Sequence, residues 1–253
     1  VVTLEALKEM HLTPEDIQLI QNDTKTCPDT GMAGASRSLY MDGNATIIAA
    51  NKLLAAMRKE DGTLRTYDEM KAEGIETKYL GRYETNTTPG LCRLDPNTGI
   101  GDPTPAFTYC LNLAEVEVDT KTGKTTVLKF TCVDFVGRIG NIDAVNGQAY
   151  SGIMHGIGFA LKEDYADVKK HANMFGAGTS YIKDVPDDIN LIHIDGAISD
   201  GPFGSSGASE AFQASGHCAV LNGIYNACGV RIHEIPALPE KVKAGLDAIA
   251  KGE

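Results

Sequence analysis

Three polar, glycine-rich stretches that each lead into a helical pattern restrict the fold of this chain more than any other feature. The helical patterns that follow them begin near Ser36, Gln148 and Glu210. The start of a helix carries unpaired N–H groups and the positive end of the helix dipole, and both favour anions. The recurrence therefore predicts either three ordinary capped helices or three helix starts that converge on one large anionic ligand.

Hydrophobic periodicity predicts five helices along the chain. Thr3 and Ser36 are in position to act as N-caps of the first two, because a hydroxyl before a helix can accept a hydrogen bond from its first turn. The predicted helices cover residues 3–10, 36–59, 148–165, 210–228 and 238–252.

Alternating apolar residues predict strands at 16–23, 75–85, 107–118 and 188–196. Residues 115–130 form a hairpin pattern with its turn at 119–123. The stretches 24–36, 89–105 and 136–147 are rich in turn-forming residues and are predicted to be loops. Because strands and helices interleave without strict alternation, we expect an α+β fold with mixed α/β layers.

Charge and hydropathy exclude several classes of protein. The net charge is -11, from 23 Lys and Arg against 34 Asp and Glu. An acidic chain without a basic stripe argues against binding to nucleic acid or to an anionic membrane surface. No run of 18 apolar residues and no signal peptide is visible. The chain begins with Val1 rather than Met, so we expect its start to lie inside a longer polypeptide.

The six cysteines are widely spaced and form no C-x-x-C pair. Their spacing matches no zinc or iron–sulfur pattern. We interpret them as reduced thiols of a cytoplasmic protein, with a structural disulfide as the alternative. They are Cys27, Cys92, Cys110, Cys132, Cys218 and Cys228.

Three motifs together resemble the molybdenum hydroxylases, the family of xanthine oxidase and aldehyde oxidoreductase. They are "CPDTGMAGASRS" at 27–38, "GNIDAVNGQAYSGIMHGIGFALKEDY" at 140–165 and "GSSGASEAFQ" at 204–213. The resemblance is strongest to bacterial aldehyde oxidoreductases that use molybdopterin cytosine dinucleotide. It implies that residues 1–253 are the C-terminal portion of a molybdenum cofactor-binding domain of the aldehyde oxidoreductase type.

The resemblance also implies roles for individual residues. Glu210 matches the catalytic glutamate beside the molybdenum, and Gln148 matches a contact to the pterin. No side chain of this chain is expected to bind the molybdenum directly, because the pterin holds it. The other expected cofactor contacts are Ser36, Arg37, Ser38, Gly140, Asn141, Ala144, Gly207, Ala208 and Ser209.

The surroundings of Glu210 depart from one common family pattern. Many members have Gly-Glu-Pro-Pro here, whereas this chain has Ser209-Glu210-Ala211-Phe212. The difference separates the chain from the xanthine-oxidising branch and leaves the acid in place. In such an enzyme the carboxylate takes a proton from water-derived oxygen before that oxygen attacks the substrate carbon. The alternative is that Glu210 is only a first-turn acid favoured by the helix dipole.

The resemblance implies oxidation of an aldehyde to a carboxylic acid, with hydroxylation of N-heterocycles or of other small carbonyl compounds as the alternative. A non-catalytic interaction module is the alternative from another class. The expected partners are a small aldehyde, the N-terminal remainder of the polypeptide, an electron-acceptor protein and a second copy in a homodimer. [2Fe–2S] clusters are expected in the part of the enzyme outside these residues. His193 alternates into a predicted strand, so we interpret it as structural.

Overall fold

The computed structural model describes residues 1–21, 23–85, 95, 97–101, 104, 106–198 and 200–252. The predicted loop at 89–105 and Cys92 therefore lie largely or wholly outside the described residues. The chain divides into two compact units. The first contains Val1–Phe107, Gly137–Asn141 and Gly196–Gly207, and the second contains Thr108–Val136, Ile142–Asp195 and Ala208–Glu253.

The described residues of the first unit contain three α-helices: α1 (Val2–Ala6), α2 (Ser38–Met57) and α3 (Tyr67–Ala72). A 3-10 turn follows α1 at Lys8–Met10. Leu7, Ala50 and Leu54 form a small core that the apolar sides of α1 and α2 share. The predicted helices at 3–10 and 36–59 are thus confirmed with shorter bounds. Their predicted caps are wrong: Val1 and Arg37 occupy the N-cap positions, and neither makes a side-chain cap hydrogen bond.

Helix α3 has no counterpart in the sequence prediction, although a capping box marks its start. The Thr66 side chain accepts a hydrogen bond from the Glu69 N–H at 3.2 Å, and Glu69 Oε2 accepts one from the Thr66 N–H at 2.7 Å. Lys59 Nζ also lies 2.8 Å from Glu69 Oε1. This reciprocal pattern satisfies backbone N–H groups that the helix itself cannot pair.

Two predicted strands in the first unit are wrong. Residues 17–21 of the first of these follow a 3-10 turn at Pro14–Asp16 and form no strand, and Leu19 and Ile20 are exposed. Residues 75–85 have no strand partner in the described part of the chain. The Leu80 carbonyl instead accepts a hydrogen bond from Lys52 on α2, at 2.9 Å. Alternation of apolar residues produces a strand only where a neighbouring strand satisfies the backbone.

A three-stranded sheet forms the base of the second unit, in the order β1 (Tyr109–Val118), β2 (Thr125–Phe135) and β3 (Asp188–His193). β1 and β2 form the predicted antiparallel hairpin, and β3 pairs parallel to β2. Phe130 and Cys132 of β2 are fully buried on the face that packs against the helices. The predicted strands at 107–118 and 188–196 are confirmed.

Across its described part, the second unit is completed by five α-helices: α4 (Ile142–Leu161), α5 (Met174–Ala177), α6 (Ser209–Ala214), α7 (Gly216–Cys228) and α8 (Pro239–Lys251). Two predictions need correction. α4 begins at Ile142, so the loop predicted over 136–147 is shorter and Gln148 lies in the second turn rather than at the start. The helix predicted over 210–228 is two helices, separated at Ser215.

Helix α4 packs against α6 and α7 through glycines. A Cβ atom at Gly152 would lie 2.5 Å from Phe212 Cβ, and one at Gly156 would lie 2.9 Å from Gly216 Cα. Because these distances are shorter than any carbon–carbon contact allows, only glycine fits at either position. Phe212 is fully buried at this contact and fixes α6 against the core. No helix in the described residues is both long and apolar enough to cross a membrane.

Candidate functional site

Two of the predicted site residues of the second unit are joined by a hydrogen bond. Ser209 Oγ donates to Gln148 Oε1 at 2.6 Å, so the first residue of α6 is held to the second turn of α4. Both side chains are exposed. Glu210 follows immediately and is also exposed, at the second position of α6. This arrangement presents a hydroxyl, an amide and a carboxylate to solvent within one short surface.

Burial on the opposite side of α6 explains why this surface is exposed. Phe212 lies two residues after Glu210 on α6, and its side chain is fully buried where α6 packs against α4. Residues two apart on a helix lie on different faces, so anchoring Phe212 directs Glu210 away from the core. Ala144, a further predicted contact, lies exposed in the first turn of α4. Ala208 is the residue before α6 and adopts a non-helical backbone conformation.

The predicted site residues of the first unit form a second arrangement. Ala35 and Ser36 both adopt left-handed backbone conformations, with φ of 54° and 53°. Gly207 lies directly against this turn, because a Cβ atom there would be 1.6 Å from the Ser36 carbonyl oxygen. Two consecutive left-handed residues that are not glycine are costly, and such strain is concentrated at functional sites.

The remaining predicted residues of the first unit flank this turn or belong to the segment at 137–141. Arg37 is the exposed N-cap of α2, and Ser38 is its exposed first residue. Asn141 is exposed, and Gly140 packs against the side chain of Val1.

A buried polar network lies beneath the start of α4. His193 Nδ1 lies 2.7 Å from Asp134 Oδ2, and His193 Nε2 lies 2.8 Å from Asn146 Oδ1. Asp134 is 1% exposed. Burial raises the pKa of Asp134 above its ordinary value, and the contact with His193 opposes that rise. The network connects two strands to Asn146, which precedes Gln148 by two residues.

Sequence reasoning placed His193 correctly in a strand but missed its two partners. Asp134 and His193 lie side by side in the parallel register of β2 and β3, although 59 residues separate them. The available signal was a carboxylate in the middle of the apolar run "KFTCVDFVG", since a buried charge requires a partner.

A second polar contact fixes the junction of α6 and α7. Asn112 Nδ2, on β1, donates to Ser215 Oγ at 2.9 Å. Ser215 is the single residue between the two helices. The break in the predicted helix is therefore stabilised by the sheet, and it determines the direction in which α6 leaves the core.

The second unit also contains a cavity of about 760 Å³ that involves none of the predicted site residues. Ile157 and Leu161, near the C-terminal end of α4, line it together with the N-terminal half of β2. Gln148 lies nine residues before Ile157, or about 13 Å along a helix. This cavity is thus separate from the surface formed by Gln148, Ser209 and Glu210.

The donor groups present fit the molybdenum cofactor that the sequence motifs imply. A pterin dinucleotide offers ring heteroatoms and phosphate oxygens, which hydroxyl, amide and backbone N–H groups can bind. Ser209 and Gln148 supply such groups in the second unit, and Ser36 and Ser38 supply hydroxyls in the first. Within the described ranges, no cluster of three or more His, Cys, Asp or Glu side chains is arranged to hold a metal ion.

The molybdopterin cofactor-binding domain family matches residues 1–186. The chain belongs to this family. The chain is similar to the aldehyde oxidoreductase of Megalodesulfovibrio gigas, which is 43% identical over 244 residues, or 96% of this chain and 27% of that protein. The probable hypoxanthine oxidase of Escherichia coli is 28% identical over 264 residues, or 98% of this chain and 28% of that protein.

Solved structures agree with this membership of the molybdopterin cofactor-binding family. The aldehyde oxidoreductase of Desulfovibrio desulfuricans has a TM-score of 0.91 at 44% identity, over 96% of this chain and 26% of that one. The predicted resemblance to the molybdenum hydroxylases and the predicted α+β fold are both confirmed. The chain spans about a quarter of the length of these relatives.

Proposed function

We propose that this chain is part of a molybdenum-dependent oxidoreductase that converts aldehydes to carboxylic acids with oxygen taken from water. The observation that carries the proposal is Glu210, an exposed acid beside the Ser209–Gln148 hydrogen bond in a cofactor-binding family. Residues 1–253 would form the C-terminal portion of the cofactor-binding domain in a longer polypeptide. The similarity to an aldehyde oxidoreductase supports the substrate class.

The reaction balances as one aldehyde and one water giving a carboxylic acid, two protons and two electrons. The bound molybdenum cofactor would supply the two-electron oxidation. The Glu210 carboxylate accepts the proton of the water molecule whose oxygen enters the product. The fully buried Phe212 packs against Gly152 of α4 and so holds α6, with the exposed Glu210, in a fixed position.

Gln148 and Ser209 would bind and orient the pterin. In the observed geometry the Ser209 hydroxyl donates a hydrogen bond to Gln148 Oε1. The amide N–H groups of Gln148 would then donate hydrogen bonds to the pterin. The cofactor-contact role of the other predicted residues stands as part of the same proposal. They are Ser36, Arg37, Ser38, Gly140, Asn141, Ala144, Gly207 and Ala208.

The proposal extends to features outside these residues. The cofactor would be the cytosine dinucleotide form, and [2Fe–2S] clusters in the remaining polypeptide would pass electrons to an acceptor protein. The enzyme would be a cytoplasmic homodimer. The similarity to a probable hypoxanthine oxidase keeps an N-heterocycle as the second candidate substrate. Ala211 and Phe212 in place of the paired prolines favour the aldehyde.

Replacing Glu210 with Gln in the molybdenum-loaded enzyme tests the proposal. Loss of the base lowers kcat for aldehyde oxidation by about 100-fold or more, while the molybdenum content by elemental analysis stays at the wild-type level. Glu240→Gln is the matched control, because Glu240 is also an exposed acid at the second position of a helix, α8. Equal kcat values for the two variants would mean that Glu210 is not the base and is only a first-turn acid that the helix dipole favours.

Absence of molybdenum from the purified wild-type enzyme would instead support the non-catalytic alternative. Xanthine or hypoxanthine turnover faster than aldehyde turnover would favour the N-heterocycle alternative.

A further inference from the structure

We propose that Cys110 and Cys132 form a redox-active dithiol that a peroxide oxidises to an intramolecular disulfide. Their sulfur atoms lie 3.4 Å apart on neighbouring antiparallel strands. Both thiols are free in the structure. The pair belongs to the sheet of the second unit and is distinct from Gln148, Ser209 and Glu210, so the inference does not depend on the proposed activity.

The strand register explains how the two sulfurs meet. Asn112 lies opposite Cys132, and Cys110 lies opposite Asp134, so the two cysteines are diagonal neighbours on one face. Diagonal neighbours are usually separated by about 7–8 Å at Cα, beyond the range of about 4.4–6.8 Å that is usual for a disulfide, so disulfide formation also requires a small shift of the two strands toward each other. Here the side chains incline toward each other until the sulfurs are in contact. Closing from 3.4 Å to a bond of about 2.05 Å needs a movement of about 0.7 Å by each sulfur.

The two thiols differ in a way that assigns their roles. Cys132 is fully buried, whereas Cys110 is partly exposed. The hydrogen bond with the Cys132 thiol lowers the pKa of Cys110, and burial and the nearby Asp134 carboxylate oppose that shift. The same hydrogen bond and burial raise the pKa of Cys132. Cys110 is therefore the thiolate that reacts first, and Cys132 is the thiol that resolves the product.

The chemistry is a two-electron oxidation in two steps. The Cys110 thiolate attacks one oxygen of hydrogen peroxide, the O–O bond breaks, hydroxide leaves and a sulfenic acid forms. The Cys132 sulfur then attacks the Cys110 sulfur, a water molecule leaves with the thiol proton, and the disulfide forms. Overall, two thiols and one peroxide give one disulfide and two waters. A small oxidant suits a partly buried thiol.

Other described cysteines lack this arrangement and serve as internal references. The Cys228 thiol donates to the Ile224 carbonyl oxygen at 3.2 Å, and the Cys27 thiol donates to the Ile20 carbonyl oxygen at 3.6 Å. Cys218 is exposed on α7. Exposure alone would make Cys218 the most rapidly oxidised of these thiols, whereas the dithiol geometry favours Cys110.

Peptide mapping of the purified enzyme that carries this chain tests the proposal directly. Trypsin separates the two cysteines, with Cys110 in residues 94–121 and Cys132 in residues 130–138. The reduced protein is treated with hydrogen peroxide, denatured in N-ethylmaleimide and digested. The two peptides lose the maleimide label together, in a 1:1 ratio, and appear as one linked species that dithiothreitol separates. Cys218 keeps its label over the same time.

Two variants strengthen the test. Cys132→Ser stops the reaction at the sulfenic acid of Cys110, which dimedone traps as a stable adduct. Cys218→Ser leaves the rate and yield of the linked species unchanged. Loss of label at Cys110 while Cys132 stays fully labelled, or retention of both labels when Cys218 is oxidised, would overturn the proposal. The wild-type peptide map alone decides between these results if Cys132→Ser does not fold.

Discussion

Two carboxylates of this protein each contact one basic side chain at nearly the same distance, yet their acidities change in opposite directions. Glu69 in the first unit lies 2.8 Å from Lys59, and its pKa falls to about 2. Asp134 in the second unit lies 2.7 Å from His193, and its pKa rises. The comparison separates the effect of a partner from the effect of the surroundings.

Solvent access accounts for the difference. The Glu69 side chain is 43% exposed, so it keeps its hydration and gains hydrogen bonds from Lys59 and from the Thr66 N–H. The Asp134 side chain is 0% exposed, and the loss of hydration outweighs its single basic neighbour. A close basic partner therefore brings the pKa of a carboxylate below its ordinary value only where the loss of hydration does not outweigh it.

The largest expected effect comes from breaking the buried pair. His193→Ala leaves the Asp134 carboxylate buried without its partner, and we expect the free energy of unfolding to fall by about 3–5 kcal/mol. Urea denaturation of this variant and of Lys59→Ala measures the contrast. Lys59→Ala removes the basic partner of the exposed pair, and its change in unfolding free energy should be much smaller. Equal losses would contradict the role given to burial.

The pH dependence of stability should differ in sign between the two acids. Because the folded pKa of Asp134 is raised, the folded state holds the proton more tightly, and stability falls as pH rises from 3.8 through that raised pKa. Because the folded pKa of Glu69 is lowered, its stabilisation is present above 4.5 and is lost as pH falls toward 2. Denaturation of wild type, Asp134→Asn and Glu69→Gln between pH 3 and pH 7 resolves the two contributions.

The next prediction concerns the titration of Glu69 itself. Its carboxyl carbon, followed by NMR, should titrate with a midpoint near 2. Lys59→Met removes the largest cause of the shift and raises this pKa toward the ordinary value of 4.5. Lys8→Met is a suitable control, because Lys8 pairs with Glu5 on α1 rather than with Glu69. A midpoint that Lys59→Met does not move would assign the shift to the Thr66 N–H.

The smallest expected effect on stability comes from an exposed hydrogen bond between neutral groups. Ser209→Ala removes the donor to Gln148, and the free energy of unfolding should change by less than about 1 kcal/mol. Under the proposed role of Gln148 as a pterin contact, the same variant of the full enzyme should also contain less molybdenum, because Gln148 loses the hydrogen bond that orients it. A large loss of stability with full molybdenum content would make this contact structural.

Local chemistry allowed part of this structure to be predicted from sequence. The hairpin of β1 and β2 was readable because its turn residues stand between two alternating segments. The start of α4 was missed because Gly147 and its neighbours resemble a loop, although Asp143 in the first turn favours a helix. The prediction of a strand at 75–85 was wrong, because alternating apolar residues carry no information about whether a neighbouring strand is available to pair with them.

The residues at the candidate site also differ in whether the sequence alone predicts them. Glu210 was predicted because a motif of neighbouring residues surrounds it, and its catalytic role stays a prediction. Asp134 and Asn146 were not found, because each meets His193 only after β2 and β3 have paired. The carboxylate of Asp134 within an apolar run indicates that it needs a partner, but a contact that depends on strand register leaves no pattern in the sequence that identifies the partner.

The close contact between α4 and α6 at Gly152 affects how long the hydrogen bonds of α6 persist before they open to solvent. A helix of six residues is too short to persist in water on its own. Since Gly152 brings the two backbones together with no side chain between them, α6 cannot open without displacing α4. The amide hydrogens of α6 should therefore exchange with solvent on the same timescale as those in the middle of α4, far more slowly than the length of α6 suggests.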